Sequence, residues 1–284
     1  MNDRGPDWVR LLTDATERVQ ESISQIAASR DRKLIVGTGA AGDETLLADK
    51  RAEEELLSVL LRVGGLRILS EEAGNRGDAK AGLIAVVDPL DGSSNFERRI
   101  PYYCTSIAIA DGPTIQNVFF GLVRNLVTGE LYISERGKGA TKNGEMIRTS
   151  GLSLLPESVA AVDLSMAPAG MIRGLSLLMS RVRRQVHYGA NALELCYLAE
   201  GRIDAFVDMR NRMRVTDFAA GYLIAKEAGA RITGPEGRAL TTRIDLQSRL
   251  SCVGSANANL HGQILGFLGS HRQTLPRAPL GPKS

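Results

Sequence analysis

Apolar side chains recur at helical spacing near the start of the chain and predict a long amphipathic helix, with Asp7 as its N-cap. A Gly/Ala-rich stretch, residues 37–43, interrupts this pattern. A second helix with an acidic outer face is predicted from about Asp49 to Val63. The apolar positions of the first helix are Trp8, Leu11, Leu12, Ala15, Val19, Ile23 and Ile26.

Short apolar or alternating runs bounded by turn residues then predict strands. An Asn-Gly pair at residues 143–144 is typical of a tight hairpin. The predicted strands are residues 66–70, 82–87, 105–110, 119–124 and 130–134.

Beyond residue 150 the pattern changes to helices and strands in alternation, which favours layered α/β packing. We therefore divide the chain into residues 1–150, with helices and a largely antiparallel sheet, and an α/β subdomain at 151–272. The proline-containing tail, 273–284, is expected to be disordered. The alternating segments are strands at 158–163 and 205–207 and helices at 169–181, 190–199 and 218–227.

Composition narrows the function classes. A net charge of +3 over 284 residues argues against a nucleic-acid-binding protein. No apolar run approaches the roughly 20 residues that span a membrane, and the first residues lack the layout of a signal peptide. The cysteines, Cys104, Cys196 and Cys252, are few and far apart. They indicate core residues of a protein in a reducing cytoplasm.

The segment VVDPLDGSSNF, residues 86–96, places two acids at the end of a predicted buried strand. Pro89 predicts an immediate turn after Asp88, which would bring Asp88 and Asp91 together. Two carboxylates about 4 Å apart repel by roughly 1 kcal/mol in water and about 4 kcal/mol at a semi-buried site. A positive group must therefore offset this repulsion, or one acid must hold a proton.

Two more segments supply acids at element ends. Glu71 and Glu72 follow a predicted strand, and Asp217 precedes a predicted helix. Each acidic segment taken alone is more often a surface turn, a solvated pair or an N-cap. Together they predict a shared site for a hard divalent cation, Mg²⁺ or Mn²⁺, because every candidate ligand is an oxygen. The histidines stand apart from the acids, so zinc fits poorly.

The residues after the acids, Gly92 to Asn95, are small and polar, as in a backbone cradle for an anion. Metal ligands followed directly by such a cradle are typical of a phosphate held against cations. The combination predicts two-metal hydrolysis of a phosphomonoester.

Three segments resemble the motifs of the inositol monophosphatase family: ILSEEAG, VVDPLDGSSNF and VTDFAAGYLIAKEAGARI, with matching order and separation. The resemblance runs from about residue 8 to 270. GTGAAGDETLLADK is most like the archaeal branch, whose members commonly hydrolyse both inositol monophosphates and fructose 1,6-bisphosphate. The family implies an α-β-α-β-α layered sandwich, Mg²⁺ dependence, a small phosphorylated substrate and a homodimer.

The resemblance also implies ligands for the cations. The first ion would be held by Glu71, Asp88 and the carbonyl of Leu90. The second would be held by Asp88, Asp91 and Asp217. Glu71 would help a weaker third ion, which Asp43 would join from the Gly/Ala-rich loop.

Around the phosphate, the resemblance implies that the amides of Gly92 and Ser93 bind the phosphoryl oxygens. Ser93 and Asp49 would orient the attacking water, with Glu71 also counted as catalytic. Asp208 would contact substrate hydroxyls. Asn191 stands where many inositol phosphatases carry alanine, which leaves selectivity for inositol open, and Thr216 replaces the usual tryptophan before the last acid.

Charged residues alternate from Asp208 to Arg214. This pattern is typical of a solvated edge strand, or of arginines that grip a second phosphate. We hypothesise that Arg210 or a neighbour accepts the distal phosphate of fructose 1,6-bisphosphate.

Two alternatives stay open. One is a nucleotide phosphatase, for example one acting on 3′-phosphoadenosine 5′-phosphate. Aromatic residues make up only 5% of the chain and none clusters near the motifs, which argues against a base-stacking pocket. The other is a regulatory binding protein on the same scaffold. It would tolerate lost ligands, whereas every metal-ligating position here is filled.

Overall fold

The computed structural model describes residues 6–40 and 42–270. The predicted tail, 273–284, lies outside them. The helices are α1 Trp8–Ala28, α2 Leu47–Leu60, α3 Ser93–Arg98, α4 Ala169–Met179, α5 Asn191–Ala199, α6 Ala219–Glu227 and α7 Ala258–Ser270. The strands are β1 Ile35–Thr38, β2 Glu44–Leu46, β3 Leu66–Ser70, β4 Gly74–Gly77, β5 Leu83–Asp91, β6 Cys104–Ala110, β7 Val118–Asn125, β8 Leu131–Glu135, β9 Ala140–Lys142, β10 Glu145–Ile147, β11 Val159–Val162, β12 Arg184–Val186, β13 Ala205–Arg214, β14 Arg231–Thr233 and β15 Arg249–Ser255.

Five layers build the molecule. Helices α1 and α2 cover one face of an eight-stranded sheet of order β10-β9-β8-β7-β6-β5-β3-β4. Helices α5 and α6 lie between its other face and a five-stranded sheet of order β12-β11-β13-β15-β14. Helices α4 and α7 close the far side. The predicted α-β-α-β-α sandwich is therefore confirmed.

The two N-terminal helices follow from their sequence patterns. In α1, Leu12, Val19 and Ile23 are buried against the first sheet, and the Asp7 carboxylate accepts the backbone N–H of Arg10 at 3.2 Å. Helix α2 begins at Leu47, slightly earlier than predicted. Asp49, in its first turn, accepts the backbone N–H of Leu46 at 2.8 Å. This one-sided cap, from the Asp49 side chain to the backbone before the helix, fixes the position of a predicted site residue.

Strand β5 differs from its prediction in a way that shapes the site. It does not end at Asp88 but continues to Asp91 through a β-bulge, with Asp88 opposite Ser106 and Asp91 opposite Cys104. Asp91 lies three residues after Asp88 on β5, whereas their partners on β6 are only two residues apart, so β5 has one extra residue here. This extra residue brings Asp88 and Asp91 to the same face of the sheet. Pro89, which cannot donate to the ladder, lies in this bulge.

Strand β13 confirms an extended segment from Asp208 to Arg214, but not an edge strand. It is the central strand of the second sheet, between β11 and β15. Its pairing with β15 is irregular between Asp208 and Met213, where Asn211 has a φ of 53°. The alternative of a solvated edge strand is therefore wrong.

The chain passes from the first sheet to the second between Ile147 and Val159. A single apolar core contacts both sheets, so the division near residue 150 stays a prediction. The Asn143-Gly144 hairpin is confirmed, with φ values of 51° and 85°. Within the described part of the chain, no helix has both the length and the apolarity needed to cross a membrane.

Candidate active site

Three acids converge beside the first sheet. Carboxylate oxygens of Glu71, Asp88 and Asp217 all lie within 4.8 Å of one another, and we call these residues the acid trio. Glu71 follows β3 and Asp88 lies near the end of the parallel neighbour β5, so the two carboxyl ends meet at one edge. Asp217 comes from the turn before α6. Residues about 150 positions apart in sequence are thus brought together by the layers.

Asp91, the fourth predicted ligand, lies beside the trio. Its Oδ2 accepts the backbone N–H of Ala192 at 2.7 Å, at the first turn of α5. The helix N-terminus favours a carboxylate there, which explains why Asp91 is held in this orientation.

The electrostatics of this group are those of crowded like charges. Burial raises the pKa of Glu71 and Asp88 well above the ordinary carboxyl range, and the charges of Asp217 and of Glu71, respectively, raise these pKa values further. Burial, followed by the charge of Asp217, also raises the pKa of Asp91. The pKa of Asp217 is raised by burial, against a lowering effect of Arg214. Among the ion pairs of the described residues, Arg214 is paired with Glu71, and no cation is paired with Asp88, Asp91 or Asp217.

The acid trio fits a hard divalent cation. Its donors are all carboxylate oxygens, within a separation that one ion can bridge, and no cysteine or histidine belongs to this group among the described residues. Oxygen-only donor sets are what Mg²⁺ and Mn²⁺ prefer.

Hydrogen bonds from neighbours orient the trio. The hydroxyl of Thr216 donates to Asp217 Oδ1 at 3.0 Å, and the backbone N–H of Arg214 donates to Oδ2 at 3.3 Å. Threonine at position 216 therefore supports the acid directly.

Glu53 of α2 accepts hydrogen bonds from both sides of the turn that carries Glu71. Its Oε1 accepts the hydroxyl of Ser70 at 2.5 Å and the backbone N–H of Ala73 at 2.7 Å. The acidic outer face of α2 gave no sign of this role in the sequence.

The predicted phosphate cradle follows directly. Gly92 has a φ of 93°, and a Cβ at this position would lie 3.0 Å from the Tyr102 carbonyl oxygen, so a side chain is excluded by both conformation and space. Ser93 opens the short helix α3. The Asn95 amide donates to the carbonyls of Tyr102 and Tyr188 at 2.8 and 2.7 Å, which joins the cradle to the start of α5. The anion-binding roles of Gly92 and Ser93 stay predictions.

Asp49 lies at the border of the acidic group. It is buried, its charge acts on Glu71 and Asp88, and burial raises its pKa to about 7. A carboxyl group with this pKa can change protonation near neutral pH. Its predicted role beside Ser93 is compatible with that chemistry and remains a prediction.

The Gly/Ala-rich stretch forms the hairpin β1–β2. Ala40 N–H donates to the Glu72 carbonyl at 2.8 Å, and a Cβ at Gly39 would lie 2.5 Å from a Glu72 carboxylate oxygen. Glycine thus permits the hairpin to approach the end of β3. Asp43, which this hairpin carries, forms an ion pair with Arg214, and Arg214 also pairs with Glu71. Sequence reasoning counted Arg214 only among arginines that could grip a second phosphate, and did not place it beside the acids.

The inositol monophosphatase family matches residues 8–273. A fructose-1,6-bisphosphatase/inositol-1-monophosphatase of Methanothermobacter thermautotrophicus is 36% identical over 92% of this chain and 96% of its own. This chain belongs to the inositol monophosphatase family. The members of this family are metal-dependent phosphatases.

Two further comparisons, one with a solved structure and one with a sequence relative, also match phosphatases. The crystal structure of an inositol monophosphatase-fructose 1,6-bisphosphatase superposes with a TM-score of 0.82 and 28% identity, covering 92% of this chain and all of that one. A bifunctional NADP phosphatase/NAD kinase of Methanococcus maripaludis is 30% identical over 95% of this chain, which spans half of that longer protein.

The family resemblance assigned Asp208 to substrate hydroxyls, and that role stays a prediction. Asp208 is 0% exposed, and its Oδ1 and Oδ2 accept Arg210 Nε and Nη2 at 3.0 and 2.6 Å. Arg210 also pairs with Asp163 and donates to the Ser165 carbonyl at 3.1 Å. We call Asp163, Asp208 and Arg210 the Arg210 network. In this structure its groups bond to one another, and the substrate-binding roles of Asp208 and Arg210 stay predictions.

Aromatic residues also depart from the sequence expectation. Tyr102 stacks on Tyr188 with ring centroids 4.9 Å apart, and both contact Tyr197 edge-on. This cluster adjoins Gly92 and Asn191, where no aromatic cluster was predicted. Asn191 itself opens α5, next to the amide that binds Asp91.

Proposed function

We propose that this protein is a Mg²⁺-dependent phosphomonoesterase that acts on inositol monophosphate and fructose 1,6-bisphosphate. The observation that carries this proposal is the approach of three carboxylates, Glu71, Asp88 and Asp217, to within 4.8 Å. Buried acids so close together need a cation to be ionised together. The activities named for the 36%-identical relative support the choice of substrates.

In this proposal Glu71, Asp88 and the Leu90 carbonyl would hold one ion. Asp88, Asp91 and Asp217 would hold another, and Mn²⁺ could replace Mg²⁺. Bound divalent cations would neutralise the phosphate, polarise its oxygens and lower the pKa of the attacking water.

The protein's own groups then orient the reactants. The amides of Gly92 and Ser93 bind phosphoryl oxygens. The Ser93 hydroxyl positions the attacking water, takes a proton from it as the water attacks phosphorus, and passes its own proton to the Asp49 carboxylate. A pKa of about 7 suits this acceptor to neutral pH.

Arg212, a neighbour of Arg210, binds the distal phosphate of fructose 1,6-bisphosphate in this proposal. Arg212 is exposed and its guanidinium lies 3.8 Å from Met166 Sδ, a weak contact that a phosphate would displace. Replacing Arg212 with methionine should raise KM for fructose 1,6-bisphosphate and spare inositol 1-phosphate. Equal losses on both substrates would reject this role.

An NADP phosphatase is the second candidate. The phosphatase/kinase from Methanococcus maripaludis supports it, as do the three tyrosines beside the cradle. The three rings already pack against one another, face to face or edge to face. Less aromatic surface is therefore left to stack on a nucleotide base, which favours the sugar phosphates as substrates.

Phosphate release from a panel of substrates tests the proposal. The panel contains inositol 1-phosphate, fructose 1,6-bisphosphate, 3′-phosphoadenosine 5′-phosphate and NADP, each with Mg²⁺ and with EDTA. We expect Mg²⁺-dependent release from the first two. Release from NADP alone would favour the second candidate, and no release from any would favour a binding role on this scaffold.

We also propose a cytoplasmic location and a homodimer. The cysteines are buried and free, which suits a reducing compartment. Exposed apolar side chains at Leu34, Ile35 and Val36 support an interface. Light scattering during gel filtration should give twice the chain mass of 30.5 kDa. A single-chain mass would reject the dimer.

A further inference from the structure

Arg214 stands where sequence reasoning placed a cation. Its guanidinium pairs with Glu71 through one nitrogen and with Asp43 through another. These are the two side chains that the family resemblance gives to a third, weaker ion. Glu71 is mostly buried, whereas Asp43 is 67% exposed and belongs to the β1–β2 hairpin.

We propose that Arg214 is a positioning residue that takes the place of the third cation. It holds the described residues of the hairpin loop, 37–40, 42 and 43, against the acid trio, and it must withdraw before an ion can bind between Glu71 and Asp43. This inference rests on the proposed function.

The backbone of Arg214 is fixed in a way that lets its side chain leave the acids when a cation binds between Glu71 and Asp43. Arg214 ends β13, and its N–H is fixed on Asp217 Oδ2 at 3.3 Å. The side chain above this anchor is long, and it is 23% exposed, so it can turn outward without disturbing Asp217. Guanidinium groups bind two carboxylates at once through separate N–H groups, which explains the bridge.

The loop has few other attachments to the acids. Within the described residues it bonds to the end of β3 through Ala40 N–H on the Glu72 carbonyl. Asp43 is thus held at the trio by its ion pair with Arg214. Loss of that pair, by cation entry or by substitution, should free the loop.

Arg249 provides a matched comparison. Its charge acts on both Arg214 and Asp217, yet its guanidinium donates to the carbonyls of Leu246 and Ser248 at 2.7 and 3.0 Å. Among the ion pairs of the described residues, Arg214 is the cation that reaches the trio. Removing Arg249 therefore changes the local charge without opening a ligand position.

Calorimetric titration of the metal-stripped protein with Mn²⁺ tests the exchange. We expect Arg214→Met to gain one additional Mn²⁺ site, or at least about tenfold tighter binding at the weakest site. Arg214→Lys should restore wild-type behaviour in part, and Arg249→Met should keep the wild-type number of sites. Melting curves in EDTA check that each variant is folded.

Equal titrations for wild type and Arg214→Met would overturn the inference. So would equal gains in Arg214→Met and Arg249→Met, because general charge would then explain the effect.

Hydrogen exchange of residues 37–43 in EDTA tests the tether without any metal. Exchange should be several-fold faster in Arg214→Met than in wild type and in Arg249→Met. Unchanged exchange would contradict the tether. If wild type bound no Mn²⁺ at all, the proposed function would fail, while this exchange result would still decide whether Arg214 holds the loop.

Discussion

Two groups of acids lie on or near strand β13, and their negative charges are balanced in different ways. In the Arg210 network each carboxylate meets the guanidinium of Arg210, and the Asp208 oxygens accept at 3.0 and 2.6 Å. In the acid trio the carboxylates face one another, and their pKa values rise. The charges of the first group are paired without any ligand. The charges of the second group need a divalent cation.

This difference separates a structural role from a functional one. Buried ion pairs with satisfied hydrogen bonds are costly to break but bind nothing further. Buried like charges destabilise the folded protein until an opposite charge arrives, and sites that bind ligands commonly have such strongly shifted pKa values. Substitutions in the two groups should therefore have opposite effects on stability and activity.

The largest expected effect is on activity, at the trio. Asp88→Asn should lower Mg²⁺-dependent phosphate release at least about 1,000-fold, or about 4 kcal/mol of transition-state stabilisation. In EDTA the variant should melt no lower than wild type, because one repelling charge is gone. Retention of more than a tenth of the activity would contradict the role of Asp88.

At the Arg210 network the expected loss is in stability. Arg210→Met leaves Asp208 and Asp163 without their partner and should reduce the free energy of unfolding by about 3–5 kcal/mol. Urea unfolding measures this change. A matched double variant, Asp208→Asn with Arg210→Met, should recover part of the loss, and a neutral Arg210→Met would remove the distinction between the two groups.

The pH dependence of stability sharpens the contrast at Asp49. Its pKa of about 7 in the folded protein exceeds the ordinary value of 3.8, so folding favours the protonated acid. The resulting stabilisation is full below pH 3.8 and is lost as pH rises through 7, to the extent of at most about 4 kcal/mol. In EDTA, the difference in unfolding free energy between wild type and Asp49→Asn should fall across this range. A difference independent of pH would contradict the raised pKa.

The smallest expected effect concerns a neighbour of the trio. Thr216→Val removes the hydroxyl that donates to Asp217 at 3.0 Å. The loss of one hydrogen bond to a charged group, about 1.5–3 kcal/mol at most, should lower kcat/KM by about tenfold. Thr216→Ser, which keeps the hydroxyl, should retain wild-type kinetics. Equal losses in both variants would assign the effect to packing.

Much of this architecture could be predicted from local pattern. Helix α1, the strands of the first sheet and the Asn143-Gly144 hairpin follow from periodicity and turn chemistry, which act within a few residues. The acids at element ends could be recognised because their positions in the chain already indicate where they lie in a layered fold.

Other features depend on partners far away in the sequence. Pro89 predicted a turn, but pairing with β6 turns the segment into a bulge that continues the strand. Arg214 gains its role from a hairpin about 170 residues earlier, and the ion pair of Arg210 with Asp163 has no local signal either. The contact of Tyr102 with Tyr188 likewise needs the two sheets to meet, which no local signal reveals.

Anomalous diffraction from a crystal of the wild-type protein soaked in Mn²⁺ tests the central claim most directly. We predict an anomalous peak at about 2.0–2.3 Å from carboxylate oxygens of Glu71, Asp88 and Asp217. A fully soaked crystal with no peak at these oxygens, or with Mn²⁺ bound only elsewhere, would contradict the account.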